Sequence, residues 1–293
     1  MIKIRSLRSI CTPTWWHVPN RALRLQEAVS FLTVGIVAPL YFLYLHCRAY
    51  RVRGLKETRR RWAELRREHR GPWLICGNHL TLIDSMLITY ALMSLRSHGV
   101  DFRAIPWNLP ERANFHRQLW KATLCYLAKC IPVSRGGDRQ ELQDTLAKCH
   151  GVLKNRQSLM VFPEGRRSRS GRVDQENFSY GVGRFLQEHP DCRVLCVYLR
   201  GDGQDTYSDL PAKGERFTVE ITDFRPRRPG REGLRGQRDL AGQIVARLAQ
   251  MEEEYFVRYR QRYRGLANPG EQGEVSGPAL PRPCFHGARR GTD

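Results

Sequence analysis

A histidine followed five positions later by an aspartate lies in the run Cys76-Gly77-Asn78-His79-Leu80-Thr81-Leu82-Ile83-Asp84. An apolar stretch ends just before it and a helical pattern begins just after. His79 therefore falls on a turn and Asp84 in the first turns of a helix. The spacing lets the carboxylate fold back to the imidazole. A carboxylate on one ring nitrogen fixes the tautomer and makes the other nitrogen more basic, ready to take a proton from an alcohol. In isolation the same spacing fits a capping Asp beside a surface His. A second run is Val161-Phe162-Pro163-Glu164-Gly165-Arg166-Arg167-Ser168-Arg169. Gly165 permits a sharp turn. Arg166, Arg167 and Arg169 can hold a phosphate through charge-assisted, often bidentate bonds. Glu164 among them can orient a guanidinium or meet a substrate hydroxyl. Ile131-Pro132-Val133-Ser134-Arg135 places one more Arg after an extended run, and Val194–Leu199 reads only as a buried strand.

These groups need a scaffold, and the pattern from residue 72 supplies an α/β one. Strands are expected at Trp73–Cys76, Asp101–Ile105, Ser158–Phe162, Val194–Leu199 and Phe217–Ile221, with Ile131–Val133 extended. Helices are expected at Leu82–Leu95, Phe115–Cys130, Gln140–Lys154, Phe178–His189 and Asp239–Arg264. In the last of these Leu240, Ile244, Leu248, Met251 and Tyr255 share one face. Strands alternating with helices imply a mixed, mainly parallel sheet flanked by helices on both faces. The expected division is 1–70 for an N-terminal membrane-anchoring segment, 71–264 for the α/β domain, and 265–293 for a disordered Gly/Pro/Arg tail.

The anchor is Ala28–Cys47, twenty residues without a charged side chain. At about 1.5 Å per residue it reaches roughly 30 Å, one hydrocarbon core. Trp15, Trp16, Tyr41 and Tyr44 suit the headgroup level. Arg residues flank both ends, so orientation is left open, and Pro39 allows a re-entrant hairpin as well as a full span. Residues 48–70 carry ten Lys/Arg against three Glu, which reads as a helix on anionic headgroups or as a merely solvated helix. The whole chain has 49 Lys+Arg against 29 Asp+Glu, a net +20. That excess predicts a polyanionic partner: nucleic acid, an anionic membrane or an acidic carrier. No finger, helix-turn-helix or RNP-like motif supports nucleic acid. Nine Cys include no Cys-x-x-Cys and no zinc-like spacing, so the expectation is reduced thiols, no metal, and the cytoplasmic face of the cell membrane.

The order N-H-x4-D, I-P-V-S-R, F-P-E-G-x-R-S-R and a further apolar strand, over about residues 28–225, resembles the glycerolipid acyltransferase family, best known from its 1-acylglycerol-3-phosphate acyltransferases. The resemblance implies His79 as general base with Asp84 as its partner. It implies Arg135, the Glu164-Gly165 turn and Arg167 at the acceptor phosphate, and an N-terminal pair of helices at the membrane. Three positions depart from the pattern: Arg166 replaces the usual Thr, Cys196 the usual Pro, and Ser179-Tyr180 the usual Lys before Gly181. The implied reaction moves an acyl group from acyl-CoA or acyl-ACP, with no cofactor, directly onto a lysophospholipid hydroxyl. Ser85 has no nucleophile-elbow motif for a covalent route. Arg166 leaves open another acceptor, such as a lyso-ornithine lipid. A non-catalytic basic membrane-binding protein is the rival from another class.

Overall fold

The computed structural model describes residues 19–115, 118–134, 136–228 and 230–266. Trp15, Trp16, Arg135 and the tail beyond Leu266 lie outside them, and with them the expectations for headgroup-level Trp, the Arg135 contact and tail disorder. The chain divides into two units, Met1–Glu254 and Tyr255–Asp293. The second contributes the end of the C-terminal helix.

In the first unit a six-stranded sheet forms the centre. Its strands are β1 (Arg51–Val52), β2 (Trp73–Gly77), β3 (Trp107–Asn108), β4 (Ser158–Val161), β5 (Arg193–Gly201) and β6 (Arg216–Phe224), in the order β1-β6-β5-β2-β4-β3. Only β5 and β6 pair antiparallel; the other neighbours are parallel. Every residue of β2 is buried, as the apolar run predicts for a central parallel strand. Ile75, Leu195, Val197, Leu199 and Phe217 pack on one face against Leu45, Trp62, Leu65, Leu87 and Ile88. Alternate residues, including Cys76, Cys196 and Tyr198, point to the other face. There Tyr198 meets Glu252 of the C-terminal helix. Cys76 and Cys196 are buried in the core, while Cys192 is only half-buried.

The helices are α1 (Pro19–Cys47), α2 (Leu55–Glu68), α3 (Asp84–Leu92), α4 (Leu95–Val100), α5 (Arg112–Phe115), α6 (Leu119–Leu127), α7 (Arg139–Lys154), α8 (Gly181–Glu188) and α9 (Gly233–Leu266). Several differ from the expectations. The predicted Leu82–Leu95 helix is two helices, because Ser94 caps α4: its side chain accepts the Ser97 N–H at 3.2 Å. Asp101–Ile105 forms a 3-10 turn, not a strand. Pro106 offers no N–H to a ladder, and pairing begins just past it at Trp107. Residues 48–70 are no appendage: β1 edges the sheet and α2 buries Thr58, Trp62 and Leu65. The sheet therefore begins about twenty residues before the 71–264 boundary.

Helix α1 is one continuous helix, not a hairpin, and Pro39 sits on its exposed side. One stripe, Leu23, Gln26, Ser30, Ala38 and Leu45, is buried. Gln26 Nε2 donates to the carbonyls of Tyr126 (3.0 Å) and Cys130 (2.9 Å), and Ser30 Oγ to that of Tyr126 (3.2 Å). Tyr41, expected at headgroup level, instead bonds His98 Nε2 at 3.1 Å. The opposite stripe, Leu25, Leu32, Ile36, Leu40 and Leu43, is bare and wholly apolar, Leu32 being 79% exposed. The helix is long and apolar enough to cross a membrane.

Candidate active site

Strand register assembles the site. Cys76 pairs with Val161 across β2 and β4, so His79 and Glu164 each lie three residues beyond a matched pair and emerge side by side. This is the carboxyl end of parallel strands, where open α/β sheets place their ligands. Gly77 leaves little room for a side chain at the strand end. A Cβ there would lie 3.0 Å from Ile88 Cδ1 and 3.3 Å from Phe162 Cε1. Asn78 then locks the turn to β5, donating to the Leu199 carbonyl (2.9 Å) and accepting the Leu199 N–H (2.8 Å).

His79 Nδ1 lies 2.9 Å from Asp84 Oδ2. The carboxylate is 2% exposed and collects three more donors: the N–H groups of Leu80 (2.6 Å) and Thr81 (2.8 Å), and the Thr81 hydroxyl (2.5 Å). It stands at the start of α3, where the helix dipole favours an anion. The imidazole stacks on Phe162, with ring centroids 4.2 Å apart and planes 15° from parallel. An acceptor-only carboxylate on Nδ1 puts the ring proton there and leaves Nε2 as the basic nitrogen.

Glu164 is 4% exposed, and both of its oxygens are taken by backbone N–H groups. One oxygen accepts the His79 N–H (3.2 Å), the other the Asp174 N–H (3.3 Å). Burial pushes its pKa up to about 7, against the pull of these two N–H groups. Gly165 turns the chain at φ 67°, and its N–H closes on the Phe162 carbonyl at 2.9 Å. Arg166 pairs with Asp174 (3.1 Å). Arg167 donates to Asp209 Oδ1 (2.6 Å) and the Ser208 carbonyl (2.8 Å), with its guanidinium over the Tyr207 ring. Two of the guanidinium groups expected to clamp phosphate, those of Arg166 and Arg167, thus engage carboxylates of the chain itself. Residues 208–209 bond the His79 turn directly: Ser208 N–H to the Leu80 carbonyl (3.0 Å) and Leu82 N–H to the Asp209 carbonyl (3.1 Å).

Sequence reasoning brought His79, Asp84, Glu164 and the Arg166–Arg167 segment to one place. It missed Asn78, Phe162 and Asp209. Phe162 sat inside a quoted motif, and stacking on a ring in the adjacent strand end was the available signal. Asp209 carried none.

A His–Asp pair with a buried carboxylate therefore stands at the carboxyl ends of a mainly parallel sheet, beside an arginine-rich turn. The model for the family described as Acyltransferase matches residues 50–200, just over half the chain. The chain belongs to this family, the glycerolipid acyltransferases. Membership gives it an O-acyltransferase role with an acyl donor and a lipid acceptor. No curated protein matches the chain.

Proposed function

We propose that this chain transfers a fatty acyl group from acyl-CoA or acyl-ACP to the free hydroxyl of 1-acyl-sn-glycerol-3-phosphate, giving phosphatidic acid in phospholipid synthesis. The observation that carries the reading is the 2.9 Å contact of His79 Nδ1 with Asp84 Oδ2. His79 Nε2 takes the acceptor proton as the oxygen attacks the thioester carbonyl. Asp84 stabilises the imidazolium, and the tetrahedral intermediate expels the thiolate, which recovers the proton. Arg167, and Arg135 by family resemblance, receive the acceptor phosphate. For Arg167 this means exchanging Asp209 for the ligand. Arg166 at the usual Thr position favours a second reading within the class, a different lysolipid such as lyso-ornithine lipid. The bare stripe of α1 supports attachment to a membrane, with the helix half-embedded along its length, and the reading puts this at the cytoplasmic face. Leu119, Trp120 and Leu124 on α6, which packs against α1, are exposed as well.

The test is transfer from labelled acyl thioester to a panel of lysolipids by the native chain and by His79→Ala. The reading expects turnover of the phosphate-bearing acceptor and its loss in the variant. Unchanged turnover by His79→Ala, or no turnover of any acceptor by folded native protein, refutes it.

A further inference from the structure

We infer that Glu252 of α9, which lies outside the residues matched by the family model, is a positioning residue for the His79–Asp84 pair and acts through the 171–174 segment and Glu164. The inference rests on the general-base role of His79 given above.

Glu252 is 3% exposed, and a carboxylate in such a place demands partners. It has them on both oxygens. Oε2 accepts the Val173 N–H (3.1 Å) and faces Arg172 Nε (3.2 Å). Oε1 accepts the Tyr198 hydroxyl (3.3 Å) and lies 3.6 Å from Arg200 Nη1. That same Arg200 nitrogen donates to the Gly171 carbonyl at 2.7 Å. Residues 171–173 are thus pinned from the interior of the domain. The next N–H along the chain, that of Asp174, is the donor to Glu164, whose other oxygen holds the His79 N–H.

A second connection runs in parallel. Ser168 N–H donates to the His79 carbonyl at 2.8 Å, and the Ser168 hydroxyl bonds the Arg172 carbonyl. Both backbone polar groups of His79 are therefore held by residues, Glu164 and Ser168, that themselves bond the segment Glu252 fixes from behind. The adjacent Glu253 meets Arg172 from the solvent side and is 65% exposed, so it lacks this leverage. A sub-ångström drift of the His79 backbone would move Nε2 off the acceptor hydroxyl, a displacement to which proximity effects are sensitive.

The experiment is a double-variant cycle in the full chain, with kcat and both KM values measured for acyl transfer to lysophospholipid. Glu252→Gln is expected to lower kcat by roughly tenfold and to leave both KM values within about twofold. Glu164→Gln should behave similarly, and the double variant should lose less than the product of the two single losses, because the two share one path through Asp174. Leu248→Ala, a buried packing change on the same helix, should lower Tm without that kcat loss. Native kcat in Glu252→Gln, multiplicative losses in the double variant, or an equal kcat loss in Leu248→Ala would each overturn the inference. If Glu252→Gln does not fold, Tyr198→Phe carries the test: it removes one donor from the same carboxylate and should give a milder kcat loss, and native kcat in it overturns the inference. Absence of turnover in the native chain would instead sink the transferase reading. The coupling is then read from amide hydrogen exchange: Glu252→Gln should speed exchange of the His79 N–H as Glu164→Gln does, and unchanged exchange counts against the inference.

Discussion

The turn at residues 78–84 and the arginine segment at 166–169 touch through Ser168 and His79, yet they are held in different ways. In the turn, a carboxylate 2% exposed is fixed by four donors within three positions either side of Thr81. In the arginine segment, Arg166 and Arg167 make ion pairs with Asp174 and Asp209 that stand partly in water; the Asp209 side chain is 76% exposed. Buried charge-assisted bonds cannot be traded for water without a large penalty, whereas exposed pairs contribute little and exchange readily. A base needs the first kind of construction. A site that must release its own carboxylate to take an anionic ligand needs the second.

The sharpest way to break this contrast is at the turn. His79→Ala should lower kcat by roughly 10²–10⁴-fold, the usual contribution of a general base, with Tm little changed. Asp84→Ala should match that loss and also cost stability. It strands the Leu80 and Thr81 N–H groups, at about 1–3 kcal/mol for each buried donor left unpaired; chemical denaturation reads the difference. If Asp84→Ala were as stable as the native chain, the turn would not be the rigid element described.

A change of pH sharpens the comparison by loading buried groups. His150 is buried against His189, 3.0 Å away, and burial pulls its pKa down to about 4. The folded state then binds this proton less readily than the unfolded chain, so stability should fall as the pH drops below about 6.5 towards about 4. Glu164 works in the other direction. Its raised pKa gives stability that is present below about 4.5 and lost as the pH rises through about 7. Tm measured against pH should therefore flatten on the acid side in His150→Gln and on the neutral side in Glu164→Gln.

The smallest effect belongs to the arginine segment. Asp209→Asn should change stability by less than about 1 kcal/mol. It should lower KM for a phosphate-bearing acceptor several-fold, because Arg167 no longer has a carboxylate to leave. A large loss of stability, or an unchanged KM, would erase the distinction between the two regions.

Much of this was legible in the residues. Local spacing made a His79–Asp84 contact possible, because a turn followed by a helix start can bring positions five apart together, and the ordered motifs of the family chose it over a capping Asp beside a surface His. Apolar runs mark β2, β4 and β5 because parallel strands are buried on both faces. The twenty-residue uncharged stretch marks α1 for the same reason of composition. Tertiary structure decided what lies across chain gaps. The Cys76–Val161 register turned Glu164 from a substrate-facing carboxylate into the support of the His79 backbone. The 208–209 loop supplied Arg167 with a carboxylate some forty residues away. Packing against α4, α6 and α7 made α1 a two-sided helix, one stripe docked and the other bare. Side-chain chemistry and short-range periodicity are written locally, but the partner of a buried charge depends on which strand ends and loops arrive beside it, and no local pattern contains that.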